Sequence, residues 1–203
     1  RKPELDTFFT QEKSSEEEEE YDIHVDTPDK GIPYVPNGFD FRPYQNEAIN
    51  KWAENGYRGI FDMATGTGKT YTGLGAVARL YEDTQRLAII IVCPYQHLVE
   101  QWVEDIELFN MTPTIGYSAS KQKNWKKRLE DDVLDFSLRV INTFCFVTTN
   151  ATYSSKFVSE QMKQLGKDTL LLVDEAHNFG APNLRTKLYP NIQYRLALFA
   201  TLD

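Results

Sequence analysis

Cysteine is nearly absent: the 203 residues hold only Cys93 and Cys145, each inside an apolar run of β type. Two distant thiols form no disulfide framework, so a staple-held secreted scaffold is excluded and a reducing compartment, the cytoplasm, is expected. Histidine is scarce too, and His24, His97 and His177 lack metal-ligand spacing. Long apolar runs are missing. The longest, Leu87–Cys93, has seven residues, against about 20 for a membrane-spanning helix. With no basic-then-apolar leader after Arg1, the chain is expected to be soluble, with no membrane partner and no secretion.

Positive charge is also short, with a formal net of -8, but its distribution matters more than its sum. Residues 1–30 carry 4 basic and 11 acidic side chains, a net of -7, whereas residues 31–203 carry 18 and 19, a net of -1. The body is therefore nearly neutral, and the total does not exclude a nucleic-acid partner. The glutamates at 16–20 repel one another and bring no apolar area, which predicts a solvated, flexible segment or linker over 1–38. Pro28, Gly31, Pro33, Pro36 and Gly38 mark its end, and the compact body is placed at 39–203.

What is present is enough apolar material, 41% of residues, to build a sizeable core. Short β-rich runs alternate with stretches of helical period, the pattern of an α/β fold with a parallel sheet covered by helices on both faces. The periodicity predicts strands over 59–63, 87–93, 112–117, 138–142, 169–174 and 194–200. Helices are predicted over 44–55, 69–81, 97–109, 122–135 and 154–165. Leu98, Trp102, Ile106 and Phe109 form one apolar stripe, predicted to face the sheet. Lys121, Lys123, Lys126, Lys127 and Arg128, with Trp125 among them and acidic residues after them, read as a solvated helix face.

Between the first strand and its helix lies Ala64-Thr65-Gly66-Thr67-Gly68-Lys69-Thr70. Gly66 and Gly68 can turn successive amides inward, forming with the helix N-terminus a nest for phosphate oxygens contacted by Thr65, Gly66, Thr67 and Gly68. Lys69 brings a full charge toward the β- and γ-phosphates, and the Thr70 hydroxyl is placed to ligate Mg2+. Met63 stands where the general phosphate-loop pattern has glycine. A hundred residues on, Leu170-Leu171-Leu172-Val173 ends in Asp174-Glu175-Ala176-His177, a buried strand delivering carboxylates to its C-terminal edge. Asp174 suits the metal and Glu175 suits the attacking water, which it would orient and deprotonate.

Together these residues resemble the first RecA-like lobe of superfamily 2 helicases and translocases, over about residues 39–203. The loop 64–70 is similar to motif I, and Asp174-Glu175-Ala176-His177 to a DEAH-type motif II. Phe41-Arg42-Pro43-Tyr44-Gln45 resembles the adenine-reading motif, which implies that Arg42 and Gln45 contact the nucleotide; an amide can pair bidentately with adenine. The stretch from Val92 through Pro94, Tyr95 and Gln96 to Trp102 is similar to motif Ia, which implies contacts with the phosphodiester backbone. Asn142-Thr143-Phe144 falls where motif Ib is expected, and Phe199-Ala200-Thr201-Leu202 is similar to motif III, with Phe199 in place of a hydroxyl residue. His177 and Thr201 are implied as coupling residues.

The resemblance implies ATP and Mg2+ as cofactors, DNA rather than RNA as partner, and a second RecA-like lobe that supplies arginine fingers. It resembles the restriction and repair branch most. A helicase or translocase motor and a nucleotide-gated clamp without unwinding share every residue named. A small-molecule kinase is a third reading, against which Asp174-Glu175-Ala176-His177 and the upstream Gln45 count.

Overall fold

The computed structural model describes residues 27–179 and 188–201. Six strands make one sheet: β1 (Arg58–Ala64), β2 (Leu87–Cys93), β3 (Thr114–Gly116), β4 (Thr143–Thr149), β5 (Thr169–Val173) and β6 (Tyr194–Thr201). Their order is β1-β6-β5-β2-β4-β3, and every pairing is parallel. Parallel neighbours require crossovers; α2 (Lys69–Thr84), α3 (Gln96–Leu108), α4 (Trp125–Ser137) and the pair α5 (Asn150–Tyr153) and α6 (Lys156–Gln164) supply those from β1 through β5, while α1 (Pro43–Glu54) precedes β1 and packs on α2.

The central strands are apolar on both sides because two cores meet them. Leu87, Ile89, Ile91 and Cys93 of β2 face the core built with α1, α2 and α3. Ala88, Ile90 and Val92 face the core built with α4, α5 and α6. An unbroken apolar run in sequence is thus a strictly alternating one in space. Cys93 and Cys145 are buried free thiols, and burial pushes both thiols upward in pKa. Close packing of α2 depends on Gly75, where a Cβ would come within 2.5 Å of the Phe41 ring. Among the described residues no helix is long and apolar enough to cross a membrane.

Two expectations need correction. No strand forms over 138–142: Leu138 caps α4, Arg139 turns in the left-handed region at φ 60°, and Leu138 and Val140 stay exposed. The strand is Thr143–Thr149, whose β-branched and aromatic residues pack on both cores. The helix expected over 154–165 is α6, opened where the Ser155 hydroxyl accepts from the Val158 N–H, and a separate short helix, α5, precedes it outside the expected range. The strand expected over 112–117 shrinks to Thr114–Gly116.

Packing also begins before residue 38. Gly31 N–H donates to Asn110 O at 2.8 Å, and the Asn110 amide donates to Asp29 O and Ile32 O at 2.9 Å each. Asn110, at φ 69°, thereby ties the segment from residue 28 onward to the end of α3. The acidic stretch over 1–26 lies outside the described residues.

Candidate nucleotide site

Parallel strands bring all their C-terminal ends to one edge, and the loop after β1 and the acidic pair after β5 meet there. Gly68 caps α2 in the left-handed region at φ 83° with no side-chain capping bond, so the first amides of a 16-residue helix point at the loop mouth free of a side-chain acceptor. Gly66 is also left-handed, at φ 79°. This cradle fits a polyphosphate: it offers amide donors, a helix N-terminus and a lysine.

The Lys69 ammonium lies 3.1 Å from Asp174 Oδ1 and hydrogen-bonds Glu175 Oε1. Asp174 Oδ1 also accepts from the Glu175 N–H at 2.9 Å, and Oδ2 accepts from the Trp102 indole N–H at 2.8 Å. Asp174 extends the ladder past the end of β5, its N–H donating to Val92 O at 2.8 Å. Glu175 follows at φ 47°, a left-handed conformation that a non-glycine residue adopts only under constraint. His177 Nδ1 stands 3.5 Å from Glu175 Oε2.

A cavity of about 610 Å³ opens here, lined by Thr65, Gly66, Gly68, Lys69, Thr70, Asp174, Glu175 and His177. Leu98, Gln101, Trp102 and Asp105 of α3 form its other wall. Burial raises the Asp105 carboxyl above its ordinary range against a lowering hydrogen bond from Tyr71, and the Asp105 charge in turn raises the Tyr71 phenol. Trp102 was legible only as part of an apolar stripe; its hydrogen bond to a residue 72 positions away has no local signal.

Other expected site residues sit elsewhere. The Gln45 amide is buried and already committed: Nε2 donates to Thr72 Oγ1 at 2.9 Å and to Gly68 O at 3.3 Å, while Oε1 accepts from the Arg42 N–H at 2.9 Å. These bonds brace the loop from behind. Arg42 reaches Tyr44 Oη at 3.3 Å, and that hydroxyl donates to Thr67 O at 2.6 Å. The Thr67 hydroxyl turns back to Ala64 O at 2.6 Å. Thr201 Oγ1 donates to Asp62 Oδ1 at 2.6 Å on β1, and Leu202 lies outside the described residues.

Pro94, Tyr95 and Gln96 join β2 to α3 at the same edge as the cavity, with Tyr95 54% exposed and its ring stacked on His97. Thr143 does not join them. It opens β4 opposite Leu87, at the far edge of the sheet, whereas Thr149 ends that strand opposite Cys93. A misplaced strand had put Thr143 at the wrong end. In the basic cluster, Trp125 is buried in the second core and Lys127 pairs with Asp131 at 2.7 Å, as a solvated helix face allows.

Residues 38–203 match the family described as the res subunit of type III restriction enzymes. The chain belongs to this family. It is a helicase-family ATPase domain with the fold of the first RecA-like lobe of superfamily 2. It is 27% identical over 180 residues to the DNA 3'-5' helicase XPB of Kineococcus radiotolerans, a match covering 88% of this chain and 29% of that relative. Two solved structures share its fold. One is a nuclease-deletion mutant of the type ISP restriction-modification enzyme LlaGI with a DNA substrate mimic, at TM-score 0.61 and 20% identity over 80% of this chain and 18% of that one. The other is the Sulfolobus solfataricus SWI2/SNF2 ATPase core with dsDNA, at TM-score 0.58 and 19% identity over 84% of this chain and 34% of that one. The chain therefore spans about a third or less of the length of each of these proteins.

Proposed function

We propose that this lobe binds ATP at the loop 64–70 and hydrolyses it, as part of a longer protein that uses the energy to move on or remodel DNA. The observation that carries the reading is the Lys69 ammonium held between the phosphate loop and both carboxylates of the β5 tip. A lysine meeting two acids at a helix N-terminus is the charge arrangement a triphosphate with its metal requires.

The amides from Gly66 to Thr70 bind the phosphate oxygens, and Lys69 neutralises charge at the β- and γ-positions. The Thr70 hydroxyl and the Asp174 carboxylate are the groups that would hold Mg2+, which supplies further charge neutralisation when bound. Glu175 orients the attacking water and takes its proton, with His177 on its second oxygen. Tyr95 and Gln96 present the loop that meets the nucleic-acid backbone. DNA is favoured over RNA because the relatives named above are a DNA helicase and two proteins solved with DNA or its mimic. A second RecA-like lobe supplies the arginines that stabilise the transferring phosphoryl group, so this lobe alone turns over slowly. Residues 39–203 form the ATP-binding lobe, and residues 1–38 include the acidic linker before it.

The test is ATP hydrolysis and triplex displacement by the complete protein on duplex DNA, with RNA as competitor and Glu175→Gln as control. DNA-stimulated turnover that falls at least about 100-fold in Glu175→Gln, with ATP binding retained, is expected. Robust DNA-stimulated turnover by these 203 residues alone, or full turnover in Glu175→Gln, overturns the reading.

A further inference from the structure

Trp102 sits within α3 and is 2% exposed, as deeply placed as the aliphatic core around it. A buried indole must satisfy its one polar atom. Trp102 does so on Asp174, donating to Oδ2 at 2.8 Å. The other oxygen, Oδ1, is held from the opposite side by Lys69 Nζ at 3.1 Å and the Glu175 N–H at 2.9 Å. A carboxylate turns freely about its last bond, and donors on both oxygens fix that rotation. Without the indole, Oδ2 would stand in a site that is 4% exposed with no donor, and the carboxylate would turn to find one.

We propose that Trp102 is a positioning residue for the metal-binding carboxylate: it holds Asp174 by Oδ2 so that Oδ1 faces Lys69 and the phosphate cradle. The role rests on Asp174 as a Mg2+ ligand, and it gives α3 a function in the nucleotide site beyond forming its wall. Orientation of a ligating carboxylate by a second donor is a general means of tuning metal affinity.

Two variants separate the hydrogen bond from the packing. Trp102→Phe keeps an aromatic ring, and benzothienylalanine at position 102 replaces only the indole N–H by sulfur. A fluorescent ATP analogue is first titrated in EDTA, and Mg2+ is then titrated into the nucleotide-loaded chain. Analogue affinity without metal is expected to stay within about twofold, while the Mg2+ half-saturation rises about tenfold in both variants, the loss of one hydrogen bond to a charged group. In the parent chain the Trp102 indole N–H resonance, identified among three tryptophans by its disappearance in Trp102→Phe, should shift when Mg2+ joins the nucleotide. A folded benzothienylalanine variant with unchanged half-saturation, while Asp174→Asn raises it, overturns the role of Trp102. If Asp174→Asn itself leaves Mg2+ dependence unchanged, the metal assignment of Asp174 falls, and the role of Trp102 with it.

Discussion

Lys69→Met keeps the aliphatic stem and deletes the charge that two carboxylates share. Lys69, Asp174 and Glu175 have side chains 14%, 5% and 21% exposed, so solvent screens the cluster weakly. At an effective dielectric of about 20, a separation of 3.1 Å is worth about 5 kcal/mol of attraction. The desolvation of the lysine, no longer required, returns part of this, and the expected loss of stability is about 3 kcal/mol. For a chain of this size, that lowers the melting temperature by roughly 6 to 12 °C while leaving the protein folded at room temperature. The same substitution removes the cation from the triphosphate cradle and is expected to weaken ATP binding about 100-fold. Calorimetry and titration with a fluorescent nucleotide read the two effects separately. Asp174→Asn provides the internal check: in that background Lys69→Met should cost about 1 to 3 kcal/mol less, because one of its partners has lost its charge. An equal cost in both backgrounds, or an unchanged ATP affinity, refutes the electrostatic account of the site.

Tyr57 donates to Asp83 Oδ2 at 2.6 Å, and burial, helped by that carboxylate, pushes its phenol up to about 12. The unfolded phenol ionises near 10, so the unfolded state releases its proton first and stability declines as pH rises from about 10 to 12. Chemical denaturation across that window should show a decline that Tyr57→Phe flattens. At the proposed nucleic-acid side, Tyr95→Ala in the complete protein should weaken DNA binding about fivefold, the worth of one polar contact. Thr143→Ala, at the opposite sheet edge, should leave DNA binding unchanged in fluorescence anisotropy; the reverse ranking would overturn the assignment of edges.

How much was legible in the sequence followed how local the signal was. The run 87–93, the loop 64–70 and the tip 173–175 are each specified by neighbours in the chain, and the structure brings the latter two within one ion-pair distance. The strand Thr143–Thr149 was misread because Leu138, Val140 and Ile141 compete with it as an apolar run. What decides between them is burial: Leu138 is 65% exposed and Phe146 fully buried, a tertiary fact with no counterpart in periodicity. Gln45 shows the same limit. Its chemistry suits an adenine edge, but that its amide also donates to Thr72 and Gly68, partners 27 and 23 residues away, has no local signal.

Glu175 holds its carboxylate from a left-handed backbone that glycine would occupy at ease. The protein therefore accepts a standing penalty of about 1 kcal/mol at one peptide for the sake of a carboxylate beside Lys69. A search for hardier versions of this lobe that scores heat resistance alone is blind to that trade: Glu175→Gly would relieve the backbone penalty yet forfeit the ion pair with Lys69, and a melting temperature reports only the balance of the two, not the missing carboxylate. Such a selection needs a turnover screen beside the thermal one.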